Sequence, residues 1–295
     1  MQNLNGIIRH GFADVGGTKL HYVEAGWNNE RSIVFLHGFP DFWFSWRHQI
    51  PFFAGDYHVI AIDQRGCNLS GKPARVSDYS VDFLVLDVKK LADHLGLHKF
   101  VLAGHDWGGA VAWEFANRHP NCLDSLIILN CPPVQLLMAE QLKNARQLKS
   151  SYYIYLFQVP WLPERVLTLN NANMLARMLS YMIPSITPQE LAIYRDGLGQ
   201  IRTLRSAINY YRCAFRRFLP RLLSGNMESV DIRCPVFVIW GVEDIALQTS
   251  LTTRFPKVCS AGYKISYVNA GHFVHQDKPA LVNRLIDAYI KNQPS

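Results

Sequence analysis

The sequence predicts a doubly wound α/β fold with a mostly parallel sheet and a helical insertion. Short apolar segments rich in β-branched residues recur along the chain, and helical patterns separate several of them. Strands that are apolar at nearly every position are expected in a parallel sheet, because helices cover both of its faces. The alternation of strand and helix is typical of the doubly wound class. The predicted strands are residues 19–24, 33–36, 59–63, 100–103, 126–129, 236–240 and 264–268.

Three helices of the sheet region are predicted from apolar spacing and from their termini. Residues 82–95 place apolar side chains on one helical stripe, with Ser80 as the predicted N-cap and Gly96 as the C-terminal stop. A second helix is expected over residues 110–119, because the proline that follows ends it. A third is expected over residues 279–290, with a proline in its first turn.

The strand pattern is interrupted in the second half of the chain. Residues 132–222 contain no convincing core strand and are rich in Leu, Arg, Tyr and Met at helical spacing. The sheet pattern then resumes at Pro235. We therefore predict a core formed by residues 1–131 and 223–295, with residues 132–222 as a helical insertion.

The composition is that of an ordinary globular enzyme, with 49% hydrophobic and 18% charged residues. The net charge of +7 is spread along the chain, and the densest basic cluster is residues 212–221 with four arginines. No basic tail or recognition motif accompanies this charge, so nucleic-acid binding is not expected. The six cysteines show no metal-site or C-x-x-C spacing.

Targeting signals are not evident in the sequence. The N-terminal segment lacks the basic and apolar regions of a signal peptide. No segment approaches the about 18 apolar residues that a membrane-spanning helix requires. We therefore expect a cytoplasmic protein with no membrane span.

The strongest chemical signal is the segment GHDWGG at residues 104–109, which follows a predicted strand and opens a predicted helix. Glycines on both sides of the central residue are typical of a nucleophile elbow, a sharp strand-to-helix turn that exposes one side chain. That side chain is Asp106, and its carboxylate is ionised at neutral pH. It can attack a saturated carbon directly and form an ester. The competing interpretation is that Asp106 simply caps the helix that begins at Trp107.

Two further segments predict the partners of this nucleophile. His272 lies in a Gly-flanked loop directly after the last predicted strand, where the base of such a triad is expected. Asp244 follows the strand 236–240 and precedes the histidine, so it is the predicted carboxylate that orients the imidazole. Glu243 is the rival for that role.

The loop HGFP at residues 37–40 follows the strand 33–36. In this arrangement the loop supplies one backbone N–H to an oxyanion hole, and the residue after the nucleophile supplies the other. The predicted donors are therefore the amides of Phe39 and Trp107, since Pro40 has no N–H.

Together these segments identify a family resemblance. HGFPDFWFSWRHQI, DQRGCNLSGKP, GHDWGG, WGVED and AGHFVHQDKP resemble the soluble epoxide hydrolases of the α/β-hydrolase superfamily, with matching spacing from about residue 8 to residue 292. The chain departs from the usual pattern at Cys67-Asn68, where Tyr-Gly is common. The resemblance implies that the helical insertion is a cap over the active site and that two cap tyrosines hydrogen-bond the epoxide oxygen.

The cap motifs of the family point to Tyr153 and Tyr211 as these tyrosines. Their neighbours Tyr152, Tyr155 and Tyr210 remain alternatives at this stage. The resemblance further implies hydrolysis of a small apolar epoxide to a diol through an ester on Asp106, with no metal and no cofactor. We expect the side chains of Phe39, Trp107 and Phe273 to contact substrate. A role in detoxification is expected, and a homodimer is left open.

Three other functions compete with epoxide hydrolysis. Haloalkane dehalogenases share the HDWGG motif, but they typically hold the halide with an Asn where this chain has Phe39. Fluoroacetate dehalogenases, which act on a haloacid, place arginines just after the nucleophile to bind its carboxylate, whereas the first arginine after Asp106 is Arg118. The third alternative is a non-catalytic ligand-binding protein on the same scaffold, because fold alone does not guarantee activity.

Overall fold

A computed structural model of the chain describes residue 4, residues 6–226 and residues 228–293. Its strands are β1 (Arg9–Asp14), β2 (Lys19–Ala25), β3 (Ser32–Leu36), β4 (His58–Ile62), β5 (Phe100–His105), β6 (Leu123–Leu129), β7 (Val236–Gly241) and β8 (Tyr263–Val268). Its helices are α1 (Ile50–Phe53), α2 (Val81–His94), α3 (Trp107–Arg118), α4 (Val134–Gln141), α5 (Ala145–Ser150), α6 (Tyr152–Leu156), α7 (Leu162–Met182), α8 (Pro188–Leu198), α9 (Ile201–Leu223), α10 (Val274–Asp277) and α11 (Pro279–Lys291).

The strands form one eight-stranded sheet in the order β1-β2-β4-β3-β5-β6-β7-β8. The six strands from β4 to β8 in this order pair in parallel, while β1 and β2 are antiparallel additions at one edge. This arrangement confirms the predicted fold class. All seven predicted strands are present, and β1 is the one strand among the described residues that the sequence did not predict.

Both faces of the parallel strands are buried, and alternate residues face opposite sides. In β3, Val34 and Leu36 pack in one apolar cluster, whereas Ile33 and Phe35 pack in another on the opposite face. Helices α2 and α3 contribute to the first cluster, and α11 contributes to the second. The continuous apolar runs in the sequence therefore have their expected cause, which is burial on two sides.

The three predicted helices correspond to α2, α3 and α11, within a few residues at their ends. Ser80 is the N-cap residue of α2, although its side chain makes no capping hydrogen bond. Gly96 has φ +69°, the left-handed conformation that glycine adopts readily after a helix. Helix α3 begins three residues earlier than predicted, at Trp107, so it starts immediately after the candidate nucleophile.

The six helices α4–α9 lie between β6 and β7 in the chain. Helix α7 is interrupted at residues 169–172, where three consecutive residues have left-handed φ values. A third apolar cluster joins these helices to the core, since it contains Phe157 and Tyr211 together with Phe39 from the loop after β3. Within the described ranges, no helix is both long enough and apolar enough to cross a membrane.

Candidate active site

Asp106 lies on a sharp turn between β5 and α3, with φ +50° and ψ −121°. This conformation is unfavourable for a residue with a side chain, and such strain is typical of functional positions. The turn depends on its glycines. A β-carbon on Gly104 would lie 2.3 Å from the carbonyl oxygen of Gly108, and one on Gly108 would lie 2.1 Å from that of Leu36. The Asp106 side chain makes no capping hydrogen bond to α3, so the carboxylate is available for other contacts.

The two oxygens of Asp106 face different partners. Oδ1 accepts a hydrogen bond of 2.7 Å from the backbone N–H of Phe39, and Oδ2 lies 3.3 Å from Nε2 of His272. Burial by itself would raise the pKa of Asp106, but the hydrogen bond and positive charge of His272 hold that pKa below its usual value. Asp106 is therefore an ionised carboxylate in a largely buried position.

The imidazole of His272 is held on its other side by Asp244. Nδ1 of His272 lies 2.7 Å from Oδ2 of Asp244, while Oδ1 of the same carboxylate accepts hydrogen bonds from the backbone N–H groups of Ala246 and Leu247. These contacts fix the orientation of the carboxylate and, through it, of the ring. Glu243 is exposed on the surface, so Asp244 and not Glu243 lies against the histidine.

Asn130 is a residue of this site that the sequence interpretation missed. Its side-chain amide donates 2.7 Å to Oδ2 of Asp244, and its side-chain oxygen accepts 2.8 Å from the backbone N–H of Gly241. It is completely buried and has φ +42°, directly after the last residue of β6. The sequence offered one signal for Asn130, which is that a polar residue directly follows a buried strand. That strand, β6, lies next to β5, which carries Asp106 at its end.

The charges of the two carboxylates dominate the electrostatics of the histidine. Burial alone would lower the pKa of His272, but the charge of Asp244 and the hydrogen bonds to both carboxylates raise it to about 10. In the free protein at neutral pH, the structure therefore holds a protonated imidazole between two carboxylates.

Tyr153 in α6 and Tyr211 in α9 face each other above Asp106. Their ring centroids are 5.7 Å apart, with the rings nearly perpendicular. The Tyr211 ring also lies 5.0 Å from the indole of Trp107. Burial, followed by the charge of Asp106, raises the pKa of both phenols well above the usual value. Both tyrosines therefore keep their protons at neutral pH.

The neighbouring tyrosines have other environments. The hydroxyl of Tyr210 donates 2.6 Å to the backbone carbonyl of Arg65, and that of Tyr155 donates 3.4 Å to the side chain of Gln141. Tyr152 has an exposed fraction of 66%. Of these five tyrosines, Tyr153 and Tyr211 are the two that line both of the cavities that contain Asp106.

Two cavities meet at Asp106. The larger has a volume of about 380 Å³ and the smaller about 70 Å³. Asp106, Tyr153 and Tyr211 line both of them. Phe39, Phe157 and His272 are among the residues around the larger cavity, while Trp107, Met138 and Phe218 are among those around the smaller one. Most of the remaining lining of both cavities is apolar, so the space suits a neutral apolar molecule.

The sequence prediction that Phe273 contacts substrate is corrected by its position. Its side chain is completely buried and lines neither of the two cavities. The ring instead packs against the imidazoles of His105 and His272, with centroid distances of 5.0 and 5.3 Å. The chain after His272 turns inward to begin α10, and this direction buries Phe273 beneath the site.

One group of side chains within the described ranges has the spacing of metal ligands. Asp41, His105 and His275 each place a ligand atom within 4.8 Å of the others, and all three are buried behind Asp106. The Asp41 carboxylate, however, already accepts hydrogen bonds from the hydroxyls of Ser45 and Tyr194. Nε2 of His105 donates a hydrogen bond of 2.9 Å to the backbone carbonyl of His272. These hydrogen bonds indicate that the three residues belong to a polar network that supports the site.

Comparison with known proteins places this geometry in a family. The profile of the alpha/beta hydrolase fold matches residues 31–279. Epoxide hydrolase 3 of Mus musculus is 34% identical, over 94% of this chain and 75% of its own length. The AB hydrolase superfamily protein YfhM of Bacillus subtilis (strain 168) is 38% identical, over 96% of this chain and 98% of its own length.

The solved structures that resemble this chain include epoxide hydrolases as well. The crystal structure of a mutant epoxide hydrolase from Bacillus megaterium has a TM-score of 0.87 and 29% identity, covering 96% of this chain and all of that one. A second structure of that enzyme, in complex with its diol product, has a TM-score of 0.88 at 28% identity, with the same coverage. The chain therefore belongs to the α/β-hydrolase family, and several of its relatives and structural neighbours are named epoxide hydrolases.

Proposed function

We propose that this protein hydrolyses epoxides to vicinal diols through an ester between substrate and Asp106. One observation carries the proposal: an ionised carboxylate on a strained turn faces a cavity in which two protonated phenols stand opposite it. A carboxylate can attack an epoxide carbon as a nucleophile. The phenols can donate hydrogen bonds and a proton to the epoxide oxygen as its bond to that carbon breaks. The names of the relatives support the same reaction.

In the first step, Oδ2 of Asp106 attacks one epoxide carbon, and the bond from that carbon to the ring oxygen breaks. The electron pair of the broken bond passes to the oxygen as negative charge. Tyr153 and Tyr211 donate hydrogen bonds to that oxygen, and one of them transfers its proton. Such donors matter because stabilising charge that develops in the transition state is commonly the largest catalytic term.

In the second step, water cleaves the ester. His272, oriented by Asp244, removes a proton from a water molecule, which attacks the carboxyl carbon of Asp106. The oxyanion that forms accepts hydrogen bonds from the amides of Phe39 and Trp107. The 2.7 Å bond that Phe39 already makes to Oδ1 supports this assignment, because the donor points at the oxygen that will carry the charge.

When the oxyanion collapses, the bond from the carboxyl carbon to the substrate oxygen breaks, and that oxygen takes the proton held by His272 and leaves as a hydroxyl of the diol. The proton that remains on the regenerated Asp106 carboxyl restores the tyrosine that donated its own in the first step.

The cavities indicate the kind of epoxide. Their apolar lining favours neutral, apolar substituents, and helices α4–α9 are the proposed cap that excludes water from the site. The unequal volumes predict a large substituent on one side of Asp106 and a small one on the other. The product bound to the related Bacillus megaterium enzyme, (R)-3-[1]naphthyloxy-propane-1,2-diol, has one large aromatic group, which supports this class.

The alternatives explain less of the site. A dehalogenase would use Asp106 and His272, but it releases an anion that needs no proton, so two phenols opposite the nucleophile would have no task. A non-catalytic binding protein would not require the ion pair of Asp106 and His272. The expectations of a cytoplasmic location, a homodimer and a role in detoxification stay predictions of the sequence.

The covalent step is tested by a single turnover in water enriched in heavy oxygen. Because water attacks the ester at the Asp106 carboxyl carbon, the label should appear in Asp106, and the first diol released should be unlabelled. Mass spectrometry of the peptide that contains Asp106 measures the incorporation. Label in the first diol would instead show direct attack of water on the epoxide, which contradicts the proposal.

The variant His272→Gln is the matched control for this experiment. It retains the nucleophile but lacks the base, so it should gain the mass of the substrate and keep it. Asp106→Asn should gain no mass. Undiminished turnover by His272→Gln would remove this histidine from the second step.

A further inference from the structure

An exposed apolar surface lies on the proposed cap, and the proposed chemical steps assign no role to its residues. We call it the 142–162 surface. Its large apolar side chains are exposed by 40% or more, and they are Leu142, Leu148, Tyr152, Tyr155, Leu156, Val159, Trp161 and Leu162. Single exposed apolar residues are ordinary in proteins. Eight of them lie within 21 consecutive residues, and such a concentration of exposed apolar side chains points to an interaction surface.

Trp161 is the most unusual member of this surface. Its side chain is 65% exposed, and its backbone has φ +60°, the left-handed region that a residue with a bulky side chain rarely adopts. The strain holds an indole in contact with solvent at the start of α7. Strain of this kind persists where the surrounding structure enforces it and where function benefits from it.

The charges on the 142–162 surface have one sign. Lys143, Arg146, Lys149 and Arg165 are all exposed. The one acidic residue in the same stretch is Glu164, whose side chain is completely buried against Arg212. An exposed surface of aromatic, aliphatic and cationic side chains is therefore present without an exposed carboxylate of its own.

We propose that the 142–162 surface docks onto an anionic lipid bilayer. Aromatic and aliphatic side chains insert at the level of the lipid headgroups, and lysines and arginines on the same side bind the anionic headgroups. A second copy of this chain is a poorer occupant. In a two-fold dimer the same patch meets itself, so four cations on each copy would face one another and repel.

The surface lies where an apolar substrate could pass from a membrane into the active-site cavity. This consequence rests on the proposed function. Tyr152 belongs to the surface and also lines the 380 Å³ cavity that contains Asp106. Tyr181, with an exposed fraction of 72%, lines the same cavity. An apolar substrate dissolved in the bilayer would thus enter close to the contact face. Binding of the protein to lipid is measured without turnover, so the two proposals can fail separately.

The test is co-sedimentation of the full chain with large unilamellar vesicles. Vesicles of phosphatidylcholine are compared with vesicles that contain 30% phosphatidylserine, at low and at physiological salt. We expect binding to the anionic vesicles that weakens as salt screens the cations. The apolar variant Leu156→Ser/Trp161→Ser and the charge variant Arg146→Gln/Lys149→Gln should each reduce the partition coefficient by about 10-fold or more.

Matched controls remove the same groups elsewhere on the surface. Phe52→Ser removes a side chain that is 48% exposed on α1, and Lys99→Gln/Lys257→Gln removes two exposed cations. These controls should bind vesicles within about two-fold of the parent, because their sites lie outside the 142–162 surface. Circular dichroism and thermal unfolding show that each variant is folded.

Three results would overturn the proposal. The first is no binding to anionic vesicles, and the second is binding that the two surface variants leave unchanged. The third is a dimer, seen by sedimentation velocity, that the apolar variant converts to a monomer while vesicle binding is absent. That last result would assign the surface to self-association.

Discussion

His272 lies between two carboxylates, and the balance of these charges sets its protonation at each stage of the proposed reaction. With Asp106 ionised, the pKa of His272 is about 10, and the imidazole is protonated at neutral pH. A protonated imidazole cannot remove a proton from water. Formation of the ester removes the charge of Asp106 and leaves that of Asp244, so the pKa of His272 falls when a base is needed.

The variant Asp106→Asn imitates the loss of that charge. We expect His272 to titrate at lower pH in Asp106→Asn than in the parent, because one of the groups that raises its pKa is neutral. The imidazole resonances in NMR measure the shift directly. An unchanged titration would mean that Asp244 alone sets the pKa of His272.

The raised pKa of His272 in the folded protein also makes the free energy of unfolding depend on pH. The folded-state pKa of His272 is raised above its unfolded value, so its contribution to folding is complete below the unfolded pKa and is lost as pH rises through about 10. Between pH 7 and pH 10 the parent should therefore lose more stability than Asp106→Asn. Thermal unfolding across this range supplies a second measurement.

The two phenols are tested by removal of their hydroxyl groups. Tyr153→Phe and Tyr211→Phe should each slow alkylation of Asp106 by about 10- to 1000-fold, since a hydrogen bond to a developing anion is worth a few kcal/mol. The double variant should be nearly inactive towards epoxides. Rapid-quench measurement of the covalent intermediate isolates this step.

Tyr155→Phe is a suitable control, because its hydroxyl contacts Gln141 and its side chain lines neither of the two cavities that contain Asp106. It should react at the parent rate. Parental rates in both Tyr153→Phe and Tyr211→Phe would exclude these phenols as the acid. Halide release from a chloroalkane by the parent would then favour the dehalogenase alternative.

At the scale of elements, a buried ion pair joins α9, which carries Tyr211, to α7. Arg212 in α9 makes two contacts of 2.6 and 3.2 Å with the carboxylate of Glu164 in α7. It also donates to the backbone carbonyls of Phe157 and Val159, which follow α6. One guanidinium thus fixes the end of α6 against α9. Tyr153 and Tyr211 keep their mutual position because of this connection.

Loss of that connection should be costly. Arg212→Met would leave the carboxylate of Glu164, whose side chain is completely buried, without its partner. We expect a loss of about 3–5 kcal/mol in the free energy of unfolding, measured by denaturant titration. Activity should fall as well, because the tyrosines lose their support.

An exposed pair provides the comparison. Lys89 and Asp93 pair on the surface of α2, one turn apart, and Lys89→Met should cost less than about 1 kcal/mol. A similar small loss for Arg212→Met would show that α6 and α9 are held by apolar packing instead.

At the scale of the whole molecule, the order of the strands assembles the site. The strands β3, β5, β6, β7 and β8 are consecutive neighbours in the sheet and run in parallel. Their carboxyl ends therefore lie along one edge, where ligands of such sheets are usually bound. The residues that follow these five strands include Phe39, Asp106, Asn130, Asp244 and His272.

This ordering explains why so much of the site was predictable from the sequence. The parallel strands are recognisable in the sequence as apolar runs. A polar or ionisable residue directly after such a run must lie at the edge of the sheet where the carboxyl ends of these strands meet. Asp106, Asp244 and His272 were found in this way. Strand β1 was not predicted, because it is an edge strand whose residues are mostly exposed and so lack an apolar run.

The choice among neighbouring side chains depended on the tertiary structure. Helix α6 is only five residues long, so its sequence has no apolar stripe from which to tell that Tyr153 faces Asp106. Phe273 was expected in the cavity, but packing against His105 turned it inward. Asn130 carries no motif, and its role appears only where β6 lies beside β7.

The sequence by itself determined the fold class, the approximate positions of the strands and the candidates for the nucleophile and its base. These features can be predicted from local patterns, because burial on two faces and a Gly-flanked turn each produce a recognisable pattern over a few consecutive residues. The tertiary structure decided which tyrosines oppose the nucleophile, what orients Asp244 and which apolar residues remain exposed on the 142–162 surface. The physical reason is that helix packing and side-chain direction are set by contacts between segments far apart in the chain, and no single segment records them.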